Sequence, residues 1–274
     1  MSSRFNFEGR TAVITGAASG IGEALAEGLA ARGCHLALAD IDEDGLKRVK
    51  ERLDRQGRLI TVTVMDVANE EAIANFAIQV GRDHSGAHLL FNNAGVALGG
   101  EFERVSPTDF DWLMSINFWG VVRMTRAFLP ILKQADRAHI INISSIFGVI
   151  APYGQTAYSA SKFAVRGFSD ALRHELSDST VGVTTVHPGG VATRIADSAR
   201  APADVSNEEA EKVREISRNL LTMPPARAAE IILRGVERGK KRVFVGRDAK
   251  TAALLERLFP SSYWSILSRF VAPQ

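Results

Sequence analysis

The sequence predicts an α/β fold, a parallel sheet of about seven strands covered by helices on both faces. Three observations predict it. Short β-branched runs alternate with longer segments of helical spacing, which is the order that βαβ units require. The strand runs are almost continuously apolar, as strands buried on both faces are. No internal repeat, low-complexity tract or linker rich in Pro, Gly or Ser divides the 274 residues, so one domain is expected.

The elements follow in order. TAVIT at Thr11, HLALA at His35, LITVTV at Leu59, HLLF at His88, HIINI at His139, VGVTTV at Val181 and RVFV at Arg242 read as strands. Apolar residues recur at helical spacing over 21–31, 70–80, 110–129 and 158–176, which predicts helices there. Two segments break the alternation. Residues 194–225 contain SARAPADVSNEEAEKVRE, a polar stretch with its own short helical pattern, placed where a lid over a site would lie. Residues 250–274 carry Leu254, Leu255, Leu258, Phe259, Tyr263, Trp264, Ile266, Leu267 and Phe270, too apolar a set for a solvated tail.

Composition narrows the function classes. The hydrophobic fraction of 46% suits a globular protein with a full core, and a net charge of +2 makes no general case for nucleic acid. Cys34 is the only cysteine, which excludes an internal disulfide and a cysteine metal cluster and fits a reducing cytoplasm. The stretch MSSRFNFEGR lacks the apolar core of a secretion signal, and no apolar run approaches the ~20 residues needed to span a bilayer. The expectation is a soluble, cytoplasmic protein.

After the first strand comes TGAASGIG, with Gly16, Gly20 and Gly22. Glycines at a strand-to-helix turn allow close approach of a phosphate, and the helix that starts there aims free N–H groups at the same spot. A ligand-free glycine turn is the alternative; its place after strand one favours a dinucleotide. Asp40 ends the second strand, 18 residues after Gly22, where a carboxylate can accept from the adenosine ribose hydroxyls. It can also cap the helix that follows, as can Asp42.

Residues 158–162 read YSASK. On a helix, Tyr158 and Lys162 lie on one face, a turn apart, with only small residues between them. A phenol titrates near pH ~10, and a neighbouring ammonium favours the phenolate, so the pair can be a proton-transfer device. Its alternative is a packed tyrosine and a solvated lysine.

With YSASK, TGAASGIG and NNAG (residues 92–95) in the right order, the chain resembles the short-chain dehydrogenase/reductase family over about residues 10–246. The resemblance implies a doubly wound, Rossmann-type fold and a nicotinamide cofactor; residues 250–274 exceed the usual length of the family core and read from their own pattern as a C-terminal helical extension. It places the catalytic tyrosine and lysine at Tyr158 and Lys162. The serine thirteen positions before the tyrosine is Ser145 rather than Ser144, and the asparagine is Asn117 in MSINFWG. The implied cofactor contacts are Gly16, Ser19, Gly20, Ile21, Gly22, Asp40, Asp66, Val67, Asn93, Gly95, Tyr158, Lys162, Val191 and Thr193, the last two in HPGGVAT. Substrate contacts fall on Ser145, Phe147, Tyr153 and Tyr158.

Each position has a local alternative. Ser145 can satisfy a backbone group, Asn117 can bridge a helix kink and Thr193 can cap a helix. His187 receives a structural role only. In the implied mechanism Tyr158 accepts the alcohol proton while hydride moves to the cofactor, and Lys162 stabilises the phenolate. Ser145 stabilises charge on the substrate oxygen, and Asn117 holds a water linking Lys162 to solvent. No metal is expected. Asp40, with Ser19 and Ile41 where NADP users often carry a cation, points to NAD.

The substrate side holds Val96, Ala97, Leu98, Ile146, Phe147, Ile150, Pro152 and Tyr153, none charged, which points to a lipophilic secondary alcohol or ketone. Arg194 in the lid is the exception to watch. An NADPH-dependent carbonyl reductase and a non-catalytic nucleotide sensor are the rival readings. Packing on the body or on a second subunit of a homodimer or homotetramer is expected of the tail. Closing the substrate pocket comes second, and membrane-surface attachment, suggested by Lys240, Lys241, Arg242, Arg247 and Lys250, comes last.

Overall fold

The computed structural model describes residues 4–54 and 57–271, so residues 272–274 of the tail, and the side chain of Phe270, lie outside the described set. The strands are β1 (Thr11–Thr15), β2 (His35–Asp40), β3 (Ile60–Val64), β4 (Leu89–Asn92), β5 (Ala138–Ile143), β6 (Val181–Pro188) and β7 (Arg242–Val245). They form one sheet in the order β3-β2-β1-β4-β5-β6-β7. Every pairing is parallel, for example Val13 opposite Ala37 on one side and Leu90 on the other. The expected Rossmann-type sheet of seven strands is the one observed.

The connecting helices are α1 (Gly20–Ala30), α2 (Glu43–Leu53), α3 (Glu70–His84), α4 (Pro107–Met114), α5 (Gly120–Leu132) and α6 (Thr156–Glu175). After β6 come α7 (Asn207–Leu220) and α8 (Pro225–Glu237), and after β7 come α9 (Arg247–Leu258) and α10 (Tyr263–Val271). Two cores result, one on each face of the sheet. Leu25 and Leu29 of α1, Leu46 of α2 and Ile232 of α8 pack on one face; Phe76 of α3, Phe128 of α5 and Leu172 of α6 pack on the other. Because β1 has β2 on one side and β4 on the other, the strand order reverses there and opens a crevice at the carboxyl ends.

One expected helix is broken. The helical run over 110–129 is α4, a π-helical turn (Ser115–Trp119) and α5. The cause is Asn117, fully buried, whose amide exchanges two hydrogen bonds with the backbone of Val96 (2.9 and 3.0 Å). Reaching that partner needs the extra residue that a π turn inserts.

A buried amide network ties the second layer to the sheet. Asn92 Nδ2 donates to Thr125 Oγ1 (3.1 Å) and Asn142 Oδ1 (2.8 Å), and Asn142 Nδ2 donates to Ser169 Oγ (2.8 Å). It links β4 and β5 to α5 and α6, the helix that carries YSASK.

The tail packs on the body, as expected. Ala249 and Ala252 of α9, with Tyr263 and Leu267 of α10, close over Ile146, Val149 and Ile150. Ala151 N–H donates to Tyr263 Oη (3.0 Å), and Gly190 N–H donates to Asp248 Oδ2 (2.7 Å). Removing everything after Gly246 therefore exposes that cluster and is expected to lower the melting temperature by several degrees. Tyr263→Phe removes only one acceptor and is expected to cost about 1 kcal/mol in denaturant titration. An unchanged melting temperature for the truncated chain would refute both.

Two buried histidines set an acid limit. His139 Nε2 donates to Thr184 Oγ1 (2.7 Å), because that hydroxyl donates its own proton to Lys240 O (2.6 Å). Burial pushes the pKa of His139, and that of His187, down to about 4. Between pH ~6.5 and 4 the unfolded chain binds more protons than the folded one, so stability present above pH ~6.5 is lost as pH falls toward 4. A shift of that size corresponds to about 3 kcal/mol per histidine. Denaturant midpoints should fall across that window, and His139→Gln, which keeps the donor to Thr184, should flatten the slope.

Candidate active site

The candidate residues come from the end of β2, from the loops that follow β1, β3, β4, β5 and β6, and from three helical segments, α1, the π-helical turn and α6. At the end of β1 the glycine loop folds on itself. Gly16 takes a positive φ of 65°, and a Cβ on Gly22 would lie 1.9 Å from Gly16 O, so neither position accepts a side chain. Ser19 is the extended residue before α1, leaving the N–H groups of the first turn, at Gly20, Ile21 and Gly22, directed at the crevice. Asp40 closes the loop from the side. Its Oδ2 accepts from Ala18 N–H (2.9 Å) and its Oδ1 from Asp42 N–H (3.1 Å). Asp42, not Asp40, caps α2, accepting from Gly45 N–H (2.9 Å).

Asn93, after β4, is spent on the loop itself. Its Nδ2 donates to Thr15 O and Gly16 O, both at 3.0 Å. Gly95 leaves the space beside it to Lys162, whose Nζ would stand 3.3 Å from an added Cβ. Asp66 is exposed, accepting from Ala68 N–H (2.8 Å), and Val67 is buried against Gly120. Val191 pairs with Met223, and Thr193 stands against Gly20.

The serine choice has a physical basis. Ser144 Oγ donates to Lys162 O (2.8 Å) and is consumed by the fold. Ser145 caps a 3-10 turn (Ile146–Gly148), accepting from Phe147 N–H (3.1 Å), and its hydroxyl acts on the Tyr158 phenol in the direction that favours the phenolate. His187 Nδ1 donates to Ser145 O (3.0 Å), and its ring stacks on Phe244 at 5.1 Å. The structural role expected of His187 is thus to hold the backbone at Ser145.

Lys162 is buried, with Nζ donating to Ile143 O (3.3 Å) and lying 5.6 Å from the centre of the Tyr158 ring. Burial lowers its pKa to about 8. Burial likewise pushes the Tyr158 phenol up to about 12, with the Ser145 hydrogen bond pulling the other way. The expectation that the ammonium lowers the phenol's pKa is not met in this arrangement. The ammonium lies over the ring face, 5.6 Å from its centre, and desolvation of the hydroxyl decides the direction.

Asn117 Nδ2 donates to Val96 O and, at 3.2 Å, to Ser161 Oγ, while its Oδ1 accepts from Val96 N–H. Phe147 meets the Tyr158 ring edge to face at 6.1 Å. Tyr153 stands at the rim, 72% exposed, with its hydroxyl on Glu101. Ser145, Phe147 and Tyr158 are therefore brought together and Tyr153 is set apart.

Part of the segment 194–225 lines the crevice, through Arg194, Asp197, Arg218 and Leu221. Leu98 pairs with Arg200, and a cavity of about 550 Å³ is lined by Ser19, Gly20, Thr193 and Arg194 together with Arg48 and Arg218. Sequence reasoning missed Arg48 and Arg218, which carry no local signature. The charges near the substrate side are mutually paired: Arg200 with Asp109 (2.9 Å) and Arg104 with Asp204 (2.8 Å). Among the described residues no cluster of His, Cys, Asp and Glu is arranged to hold a metal ion.

Comparison with known proteins agrees with this geometry. The family model described as short chain dehydrogenase matches residues 10–204. A Mycobacterium tuberculosis protein named SadH is 42% identical over 270 residues, 97% of either chain. The crystal structure of a short chain dehydrogenase/reductase from Burkholderia phymatum in complex with NAD has a TM-score of 0.87 and is 31% identical, covering 93% of this chain and 95% of that one. A Mycobacterium paratuberculosis short chain dehydrogenase bound to NAD has a TM-score of 0.78 at 25% identity, covering 90% of this chain and 100% of that one.

Proposed function

The chain belongs to the short-chain dehydrogenase/reductase family, an oxidoreductase family that binds nicotinamide cofactors. On that premise we propose that it interconverts a lipophilic secondary alcohol and its ketone with NAD, using Tyr158 as general acid/base. The observation that carries this reading is the Lys162 ammonium over the Tyr158 ring, with Ser145 held beside Phe147, which meets the same ring edge to face. A binding module has no need of that group, which argues against a nucleotide sensor.

The cradle fits a dinucleotide. Gly16 and Gly22 keep the loop open to phosphate, the first turn of α1 supplies N–H donors, and Asp40, beside the loop, would accept from the ribose hydroxyls. When bound, the nicotinamide supplies the hydride acceptor or donor. This chain's residues do the rest. Lys162 Nζ has donors left for the ribose beyond its bond to Ile143 O. Ser145 Oγ holds the substrate oxygen beside the Tyr158 hydroxyl, and the proton crosses between that hydroxyl and the oxygen. Val96, Ala97, Leu98 and Phe147 offer no charge, which supports an apolar substrate. We further read residues 194–225 as a lid and the exposed Trp119 and Phe163 as part of a homodimer or homotetramer contact, in a reducing cytoplasm.

NADPH-dependent reduction is the second reading, and Arg48 favours it, because it lines the cavity beside Ser19 and Gly20. NAD is preferred because the Arg48 guanidinium already faces Asp42 (3.9 Å) and Asp40 would repel a 2′-phosphate.

Tyr158→Phe should keep the fold and NAD affinity while turnover drops by ~100-fold or more. Near-normal turnover in that variant would remove Tyr158 from the mechanism. In steady-state kinetics NAD should exceed NADP by about a hundredfold in kcat/KM, one unpaired like-charge contact costing a few kcal/mol. Asp40→Ala should narrow the gap. A value for NADP equal to or above that for NAD would overturn the preference.

A further inference from the structure

Helix α9 turns its small residues inward and its large ones outward. Ala249 and Ala252 are buried against Ile146, Val149 and Ile150, while Leu254 is 57% exposed, Leu258 61% and Phe259, just after the helix, 46%. A helix whose sole task was to cover the body would bury its leucines and expose its alanines, because burial favours the larger apolar area.

The same outer face is cationic. Arg247, Lys250, Leu254, Arg257 and Leu258 recur at spacings of three and four, so they share one side of the helix. All are exposed, and no ion pair or side-chain hydrogen bond joins Arg247, Lys250 or Arg257 to another described residue. Of the two acids on α9, Asp248 turns its carboxylate onto Gly190 N–H and Glu256 is half-buried on the flank. The structure also separates the basic residues that precede this helix. Lys240 and Lys241 lie before β7, at the far end of that strand from α9, and Arg242 is bonded to Asp170.

An exposed apolar stripe set among unpaired cations suits one occupant best. A second copy meeting this face in a two-fold contact would set the cations against themselves. An anionic bilayer surface accepts both parts, with leucine and phenylalanine side chains entering the headgroup boundary and Lys and Arg reaching the phosphates. We propose that the outer face of α9, with Phe259, docks the protein on anionic lipid membranes. The attachment is peripheral, since no helix among the described residues is long and apolar enough to cross a membrane.

The position of this face gives the docking a use. The inner side of α9 holds the segment that directly follows Ser145, and Tyr263 of α10 holds Ala151. The docked surface therefore adjoins the wall of the candidate active site, and a lipophilic substrate would pass between bilayer and site without crossing water. That consequence rests on the proposed function; the docking itself does not.

The test is sedimentation of the full chain with vesicles of phosphatidylcholine alone and of phosphatidylcholine with phosphatidylglycerol. Binding should favour the anionic vesicles and weaken as salt rises. The double variant Leu254→Ser/Leu258→Ser should lower partitioning at least about tenfold. Lys250→Glu/Arg257→Glu should abolish the preference for anionic lipid. Melting temperature and turnover of a water-soluble alcohol should be unchanged in both, which separates lost docking from lost folding. Failure of the wild-type chain to bind anionic vesicles, or wild-type binding by the leucine variant, would overturn the proposal. So would a leucine variant that runs as a smaller species in size exclusion while the wild-type chain ignores vesicles, since a second copy then covers the face. A chain that docks as described but oxidises no alcohol would sink the proposed function and leave the docking standing.

Discussion

The structure is arranged around one buried charge. The Lys162 ammonium sits out of water with a single carbonyl at 3.3 Å and the face of a tyrosine ring, and its depressed pKa registers that burial. Removing an ammonium from water costs several kcal/mol unless neighbours are placed to receive it. Here the neighbours are small so that the backbone can come close. A Cβ on Gly148 would stand 2.6 Å from Lys162 O and 2.3 Å from Ser144 Oγ, and one on Gly95 would crowd the ammonium. Ser144 fixes the lysine's own carbonyl, and the amide network of Asn92, Asn142 and Ser169 presses α6 onto β4 and β5. The small residues between Tyr158 and Lys162 belong to the same requirement: Ser159 and Ser161 are buried in that contact.

The loops at the carboxyl edge have no sheet ladder to hold them, and side chains do that work instead. Asn93 binds the carbonyls of Thr15 and Gly16, Asn117 binds both backbone groups of Val96, and His187 binds the carbonyl of Ser145. Asp248 and Tyr263, from the extension, bind the N–H groups of Gly190 and Ala151. Residues that look like ligand contacts in a sequence are thus, in part, the pins that make a ligand site possible. Rigid placement of a few donors is what a proton-transfer site needs.

Much of this was legible before the structure. Strands covered on both faces are largely apolar, so all seven showed as short runs rich in Val, Ile, Leu, Ala, Phe and Thr. The glycine loop, Asp40 and YSASK were legible because their chemistry is local. The break at Asn117 was not, since the helical pattern over 110–129 is unaffected by a single buried amide whose partner, Val96, lies far away in the chain. Arg48 and Arg218 were invisible for a related reason: a surface arginine gains meaning only when folding brings it to the glycine loop. The tail's apolar count showed that it packs, but only the fold decides that alanines face in and leucines face out.

The two shifted pKa values say what this chain's residues prepare by themselves. Desolvation disfavours either charge, raising Tyr158 to about 12 and lowering Lys162 to about 8. At pH 7 the lysine is still mostly protonated, whereas ionising the tyrosine alone would cost about 7 kcal/mol. In the role proposed for it, Tyr158 therefore stands ready as a proton donor to a carbonyl oxygen. Running it as a base demands further positive charge or donors near its hydroxyl, beyond the pull of Ser145. An oxidised nicotinamide ring bound in the crevice would supply such a charge, and a reduced one would not. Both shifts have one physical source, the removal of the Tyr158 hydroxyl and the Lys162 ammonium from water.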